Sequence, residues 1–169
     1  MRILLVGPNG PTQDTAPLHA YASAVRHAAS LVDRPPNDLT TTAFVAHAAE
    51  VARSVGASIM TIEGENLREQ GFGGIYGVGK AAEHPPALVV LDYAPPNATS
   101  SMAWVGKGIV YDTGGLSLKS KTGMVNMKND MGGAAAVIAA FRAAAKIGAP
   151  IHLTAVLCIA DNAIGPRAT

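Results

Sequence analysis

The sequence predicts an α/β fold: a mostly parallel mixed sheet flanked by helices. Three observations carry that expectation. Alanine-rich helical stretches alternate along the 169 residues with short apolar runs of buried-strand type. Hydrophobic residues make up 49% of the chain and charged ones 15%, a globular balance for one domain that can bury roughly two thirds of its unfolded surface. One long polar, glycine-rich stretch between a strand and a helix interrupts the alternation, and compact domains usually keep loops of that length for function.

Taken in order, Ile3–Val6 reads as a short strand and GPNGPTQDTAP as a turn-rich linker. Residues 1–17 are therefore expected to be the remnant of a preceding segment or a linker, and residues 18–169 the domain. Leu18–Val32 is helical in composition and RPPND ends it, because Pro35 removes a donor and biases Arg34 away from helix. A second helix, about Thr42 to Val55, follows a threonine-rich cap and stops at Gly56. Ala57–Ile62 and Ala87–Tyr93 are buried-type strands, and Trp104–Tyr111 and His152–Ala160 make two more. Between these last two, DMGGAAAVIAAFRAAAKIG reads as a helix with Asn129 or Asp130 at its cap, Lys146 in its last turn and Gly148 just beyond.

Composition removes several function classes. A net charge of +1 gives no electrostatic case for nucleic acid or an anionic membrane. The opening MRILLVGPNG has an apolar run of only four residues, too short for a signal-peptide core, and no later segment approaches a membrane span. Cys158 is the single cysteine, which excludes an internal disulfide and a cysteine-based zinc cluster and fits a reducing compartment, so a cytoplasmic location is expected. The five histidines show no HExxH spacing.

The polar stretch places Lys107, Asp112, Lys119 and Asp130 at intervals of five, seven and eleven residues. Ordinary roles exist for most of them: Asp130 as a helix cap, Asp112 as a turn residue beside Thr113 and Gly114, Lys119 on a solvated face with Lys121 and Lys128. Lys107 is harder to dismiss, because it lies in an apolar strand where a buried ammonium needs carboxylate partners. Five is an odd spacing, so Lys107 and Asp112 converge only if the strand ends or twists near Tyr111. A rival from another class is GIYGVGK, Gly74 to Lys80, which fits the GxxxxGK frame of a phosphate-binding loop. Against it, Ala81 lacks the hydroxyl for Mg²⁺, and Pro85 and Pro86 break the helix that should follow.

The run VGKGIVYDTGG, then Lys119, then MKNDMGGAAAV, resembles the catalytic core of the leucyl aminopeptidase family, the two-metal cytosol aminopeptidases. The likeness extends back through GFGGIYGVGKAAEHPPALVVLDY and RPPNDLTT to about Ala22, with Asn129 at a position where family members often differ. It implies Lys107 as the amine ligand of one metal, Asp112 as a carboxylate touching both, and Asp130 as a second ligand beside Lys107. It implies Lys119 as a nonligating catalytic lysine and Met127 in the pocket for the first substrate side chain. It further implies two divalent ions, Zn²⁺ or Mn²⁺ and conceivably Mg²⁺, a bicarbonate acting as general base, and a homohexamer. The substrate implied is a peptide with a free N-terminus, from which a leucine-type residue is released.

The family's remaining ligands, an aspartate and a glutamate, and the arginine that holds the bicarbonate lie in an NTDAEGR-type motif downstream, and the sequence reaches Thr169 before it. The expectation is an incomplete metallo-exopeptidase domain, inactive by itself, in which Lys107 pairs with Asp112 and Asp130. The alternative is a structural or regulatory piece that keeps aminopeptidase sequence without its activity.

Overall fold

The computed structural model describes residues 6–8, 10–11 and 15–168. The strand expected over Ile3–Val6 lies outside the described residues except for Val6. That residue pairs with Pro11 in a small antiparallel ladder, β1 (Val6–Gly7) with β2 (Gly10–Pro11).

Helix α1 spans Ala16–Asp33 and ends where Arg34 turns extended ahead of Pro35. Helix α2, Thr41–Val55, is capped by Thr40, whose hydroxyl accepts from the Ala43 amide at 3.2 Å, and closes on Gly56 at φ 67°. Strand β3 (Ser58–Glu63) leads into two short helices, α3 (Glu65–Glu69) and α4 (Gly73–Gly79), and then β4 (Ala87–Tyr93). The long strand β5 (Ser101–Asp112) is followed by one helical turn, α5 (Lys121–Met124), a 3₁₀ turn at Met127–Asn129, helix α6 (Gly132–Lys146) and strand β6 (His152–Asn162).

Among the described residues the main sheet has the order β3-β4-β6-β5. Its β3–β4 and β4–β6 pairings are antiparallel and only β5–β6 is parallel, so the sheet is mostly antiparallel and the mostly parallel expectation is corrected. The error has a physical origin. A parallel pair needs a crossover, and the sequence reading took each helix for one. Helices α1 and α2 precede the main sheet altogether, α3 and α4 lie within a connection that returns the chain antiparallel, and only the connection that holds α6 joins parallel neighbours.

Helices α1, α2 and α6 cover one face. Phe44, Val51, Ile138 and Phe141 pack there against Val89, Leu91, Leu153 and Leu157, all of them buried. On the other face a smaller cluster of Leu67, Ile62 and Leu88 is joined by Ile75 and Tyr76. That cover stops short of β5, the sheet's edge strand, where Val105 is 68% exposed.

Two glycines fix how α6 meets β5. A Cβ on Gly106 would stand 2.6 Å from the Ala134 Cα, and one on Gly133 would stand 3.1 Å from the Lys107 amide nitrogen. Without those side chains the start of α6 rests directly on the backbone of β5. This contact carries Asp130 to Lys107.

Candidate metal centre

The convergence of Lys107 and Asp112 is solved by one extra residue in β5. Along the parallel pair, Ile109 is opposite Ala160 while Asp112 is opposite Asn162, three steps on one strand against two on the other. Lys107 is opposite Cys158, four residues before Asn162, so the register partners of Lys107 and Asp112 share one face of β6. The irregularity thus cancels the odd spacing.

Beyond Asp112 the chain turns through Thr113, Gly114 at φ 88° and Gly115 at φ 61°, conformations that glycine alone adopts without strain. The Lys119 amide bonds back to the Thr113 carbonyl at 2.9 Å, which folds the loop over and brings Lys119 Nζ to 2.8 Å from Asp112 Oδ2. Asp112 Oδ1 accepts from Asn162 Nδ2 at 2.7 Å and from the Gly114 amide at 3.0 Å. Burial works to raise the pKa of Asp112, but the bonds from Lys119, Asn162 and Gly114 outweigh it and hold the carboxyl below its usual value.

Asp130 is not a helix cap. Helix α6 begins at Gly132 behind Met131 with no side-chain cap, and Asp130 instead ends the 3₁₀ turn that contains Met127, its amide bonded to the Met127 carbonyl. Asp130 Oδ2 is buried and lies 2.9 Å from Lys107 Nζ, an ion-pair distance without an aligned hydrogen bond. Lys107 is not the buried amine the sequence suggested: its side chain is 63% exposed, because it projects from the open face of an edge strand. The expected cluster of Lys107 with both aspartates is instead two pairs, Lys107 with Asp130 and Asp112 with Lys119.

Two further residues do other than the sequence suggested, Lys128 leaving the solvated face expected for it and Asn162 joining the site. Lys128 donates to the Val32 and Asp33 carbonyls at 2.7 and 3.2 Å, tying the 3₁₀ turn to the C-terminus of α1. Asn162, at the end of β6, reaches Asp112. The signal available for it was its position in DNAIGPRAT at the end of a strand, since ligands in open α/β sheets gather beyond such ends.

The donor set suits a hard or borderline divalent cation: the two carboxylates of Asp112 and Asp130 and one amine. Among the described residues no three His, Cys, Asp or Glu side chains converge as a metal site, so any centre here depends on the lysine amine or on ligands from elsewhere. Cys158 adds no ready thiolate, because burial pushes its thiol pKa up. The phosphate-loop frame at Gly74–Lys80 is not a loop: it lies in α4, where the Tyr76 and Lys80 amides are spent on the Phe72 and Tyr76 carbonyls.

Carboxylates and lysines gathered at the carboxyl end of a parallel strand pair, beside the start of a helix, define a candidate cation-dependent hydrolase centre on an α/β scaffold. Residues 26–169 match the cytosol aminopeptidase family, catalytic domain. The chain belongs to that family. It is 51% identical to the probable aminopeptidase NPEPL1 of Mus musculus over all of its own length and 33% of the relative's. It resembles the solved leucine aminopeptidase of Caenorhabditis elegans at a TM-score of 0.85 and 50% identity, covering 90% of this chain and 31% of that one. The leucyl aminopeptidase of Trypanosoma brucei in complex with bestatin superposes at a TM-score of 0.89 and 45% identity, covering 96% of this chain and 31% of that one. The chain thus spans about a third of the length of the relatives it matches.

Proposed function

We propose that this chain supplies the front part of a two-metal aminopeptidase centre that releases leucine-type residues from the free N-terminus of peptides. The observation that carries the reading is the meeting of Lys107 with Asp130 and of Asp112 with Lys119 on one side of the parallel strand pair. Lys107 and Asp130 would hold one ion, and Asp112 would touch both. Ions bound there would polarise the scissile carbonyl and lower the pKa of a bound water.

Lys119, ion-paired with Asp112, would stabilise the oxyanion that develops on the carbonyl. Met127, half-buried in the turn leading to Asp130, would line the pocket for the first side chain. The bicarbonate has no holder assigned among these residues and belongs with the downstream motif. Zn²⁺, Mn²⁺ and Mg²⁺ all suit such donors, and a similar solved protein, the bottromycin maturation enzyme BotP, is described in complex with Mn. Relatives named cytosol aminopeptidase support a cytoplasmic location, and a homohexamer is the assembly proposed for the complete protein.

The test is paramagnetic broadening. Millimolar Mn²⁺ added to the ¹⁵N-labelled chain should broaden the Gly114 and Asp130 amides, and Asp112→Asn should remove the effect at Gly114. Broadening that ignores this substitution, or spares both amides, would sink the ligand assignment.

A further inference from the structure

We propose that Asn162 is a positioning residue for Asp112: its side-chain amide decides which carboxylate oxygen is presented for ligation, while its backbone carbonyl anchors the loop that carries Lys119. The proposal rests on the reading of Asp112 as a ligand. Its grounds are three contacts made by one residue.

The first is the side-chain bond. Asn162 Nδ2 stands 2.7 Å from Asp112 Oδ1, which also accepts from the Gly114 amide at 3.0 Å. An ionised carboxylate only accepts, so the amide must turn its nitrogen to it. Two neutral donors engage Oδ1, and Oδ2 is left facing Lys119 Nζ at 2.8 Å. Oδ2 is therefore the oxygen kept clear of neutral donors and turned towards a cationic partner, here Lys119. Orienting partners of this kind behind a ligating carboxylate are a general feature of metal sites.

The second contact runs through the backbone. The Asn162 carbonyl accepts from both the amide and the hydroxyl of Thr113, and the Thr113 hydroxyl in turn accepts from the Gly115 amide. The Thr113 carbonyl accepts from the Lys119 amide, so the anchor at Asn162 reaches the lysine in two steps. The third contact is steric. A Cβ on Gly115 would stand 2.8 Å from Asn162 Oδ1, so the loop closes over the asparagine only because a glycine is there. The register places Asp112 opposite Asn162 immediately after the extra residue of β5, which lets both side chains act at the same level.

The two anchors can be separated, because a substitution at Asn162 alters the side chain and keeps the carbonyl. In Asn162→Asp, which preserves shape but replaces the donor by an acceptor, hydrogen exchange at the Gly114 amide should accelerate about tenfold. The Thr113 amide, bonded to the backbone of residue 162, should keep its protection. Asn162→Ala removes the donor without adding charge and should give the same pattern, so the test survives if the first variant does not fold. Unchanged exchange at Gly114 in both variants overturns the proposal. Equal acceleration at Thr113 and Gly114 also overturns it, since that is the signature of a merely structural residue. Failure of the ligand reading is seen separately, as an absence of Mn²⁺ broadening at Gly114 in the unsubstituted chain.

Discussion

Lys119 and Lys107 are the same residue type, and their surroundings give them different work. Lys119 is held over Asp112 by a folded loop and is mostly covered, whereas Lys107 leans from an open strand to a carboxylate with an otherwise orphaned oxygen. If Lys119 stabilises an oxyanion and does not ligate, Lys119→Ala in a chain extended through the downstream motif should retain both metals while kcat falls by about 10² or more. Metal content and single-substrate kinetics on the same preparation check this. Loss of metal from a folded variant would place Lys119 among the ligands instead. The residue types and spacing of this group were legible in the sequence. The pairing was not, because it depends on which lysine the loop beyond Gly115 folds back.

At the scale of elements, two packings make separate predictions. Between α1 and α2, His27 Nε2 and His47 Nε2 lie 2.6 Å apart, so together they can hold one proton between them but resist a second. Burial first, then the charges of His47, Arg142 and Arg34, bring the pKa of His27 down to about 4. His47 is also lowered by burial, against an upward pull from Glu50. For a base whose folded pKa is depressed, the unfolded chain binds more protons through the window from the ordinary 6.5 down to about 4. Stability is therefore full above that window and falls as pH drops through it. Thermal unfolding followed from neutral pH to pH 4 should show the decline, and His27→Phe should flatten it. The second packing is α6 on β5. In Gly106→Ala the new Cβ meets backbone atoms of Gly133 and Ala134, which yield only if the helix moves. A loss of about 1–3 kcal/mol in urea unfolding is expected, and an unchanged midpoint would show that the close approach is dispensable.

For the molecule as a whole, the ligand count sets the outcome. Three of the five ligands that the family resemblance implies are present, Lys107, Asp112 and Asp130, and Asp112 alone would serve the second site. The 169-residue chain should release no leucine from an unblocked leucyl substrate and should bind one divalent ion weakly at most. Calorimetric titration with two tight sites, or turnover abolished by Lys119→Ala, would contradict this. The long helices α1, α2 and α6 were readable because their caps or stops are local, as where Thr40 and Gly56 bound α2 and Gly148 at φ 66° follows α6, whereas the short α3, α4 and α5 were not read. The strands were readable as apolar runs, with β4 placed at Ala87–Tyr93 as expected. The sequence by itself thus determined the long helices and the strands of the main sheet, the spacing of Lys107, Asp112, Lys119 and Asp130, and the family those residues resemble. Only tertiary structure decided strand direction, the exposure of Lys107, the extra residue that turns Asp112 to its face, and the reach of Asn162. These rest on which strands become neighbours, and neighbours are chosen by packing between segments far apart in the chain, where no local propensity acts.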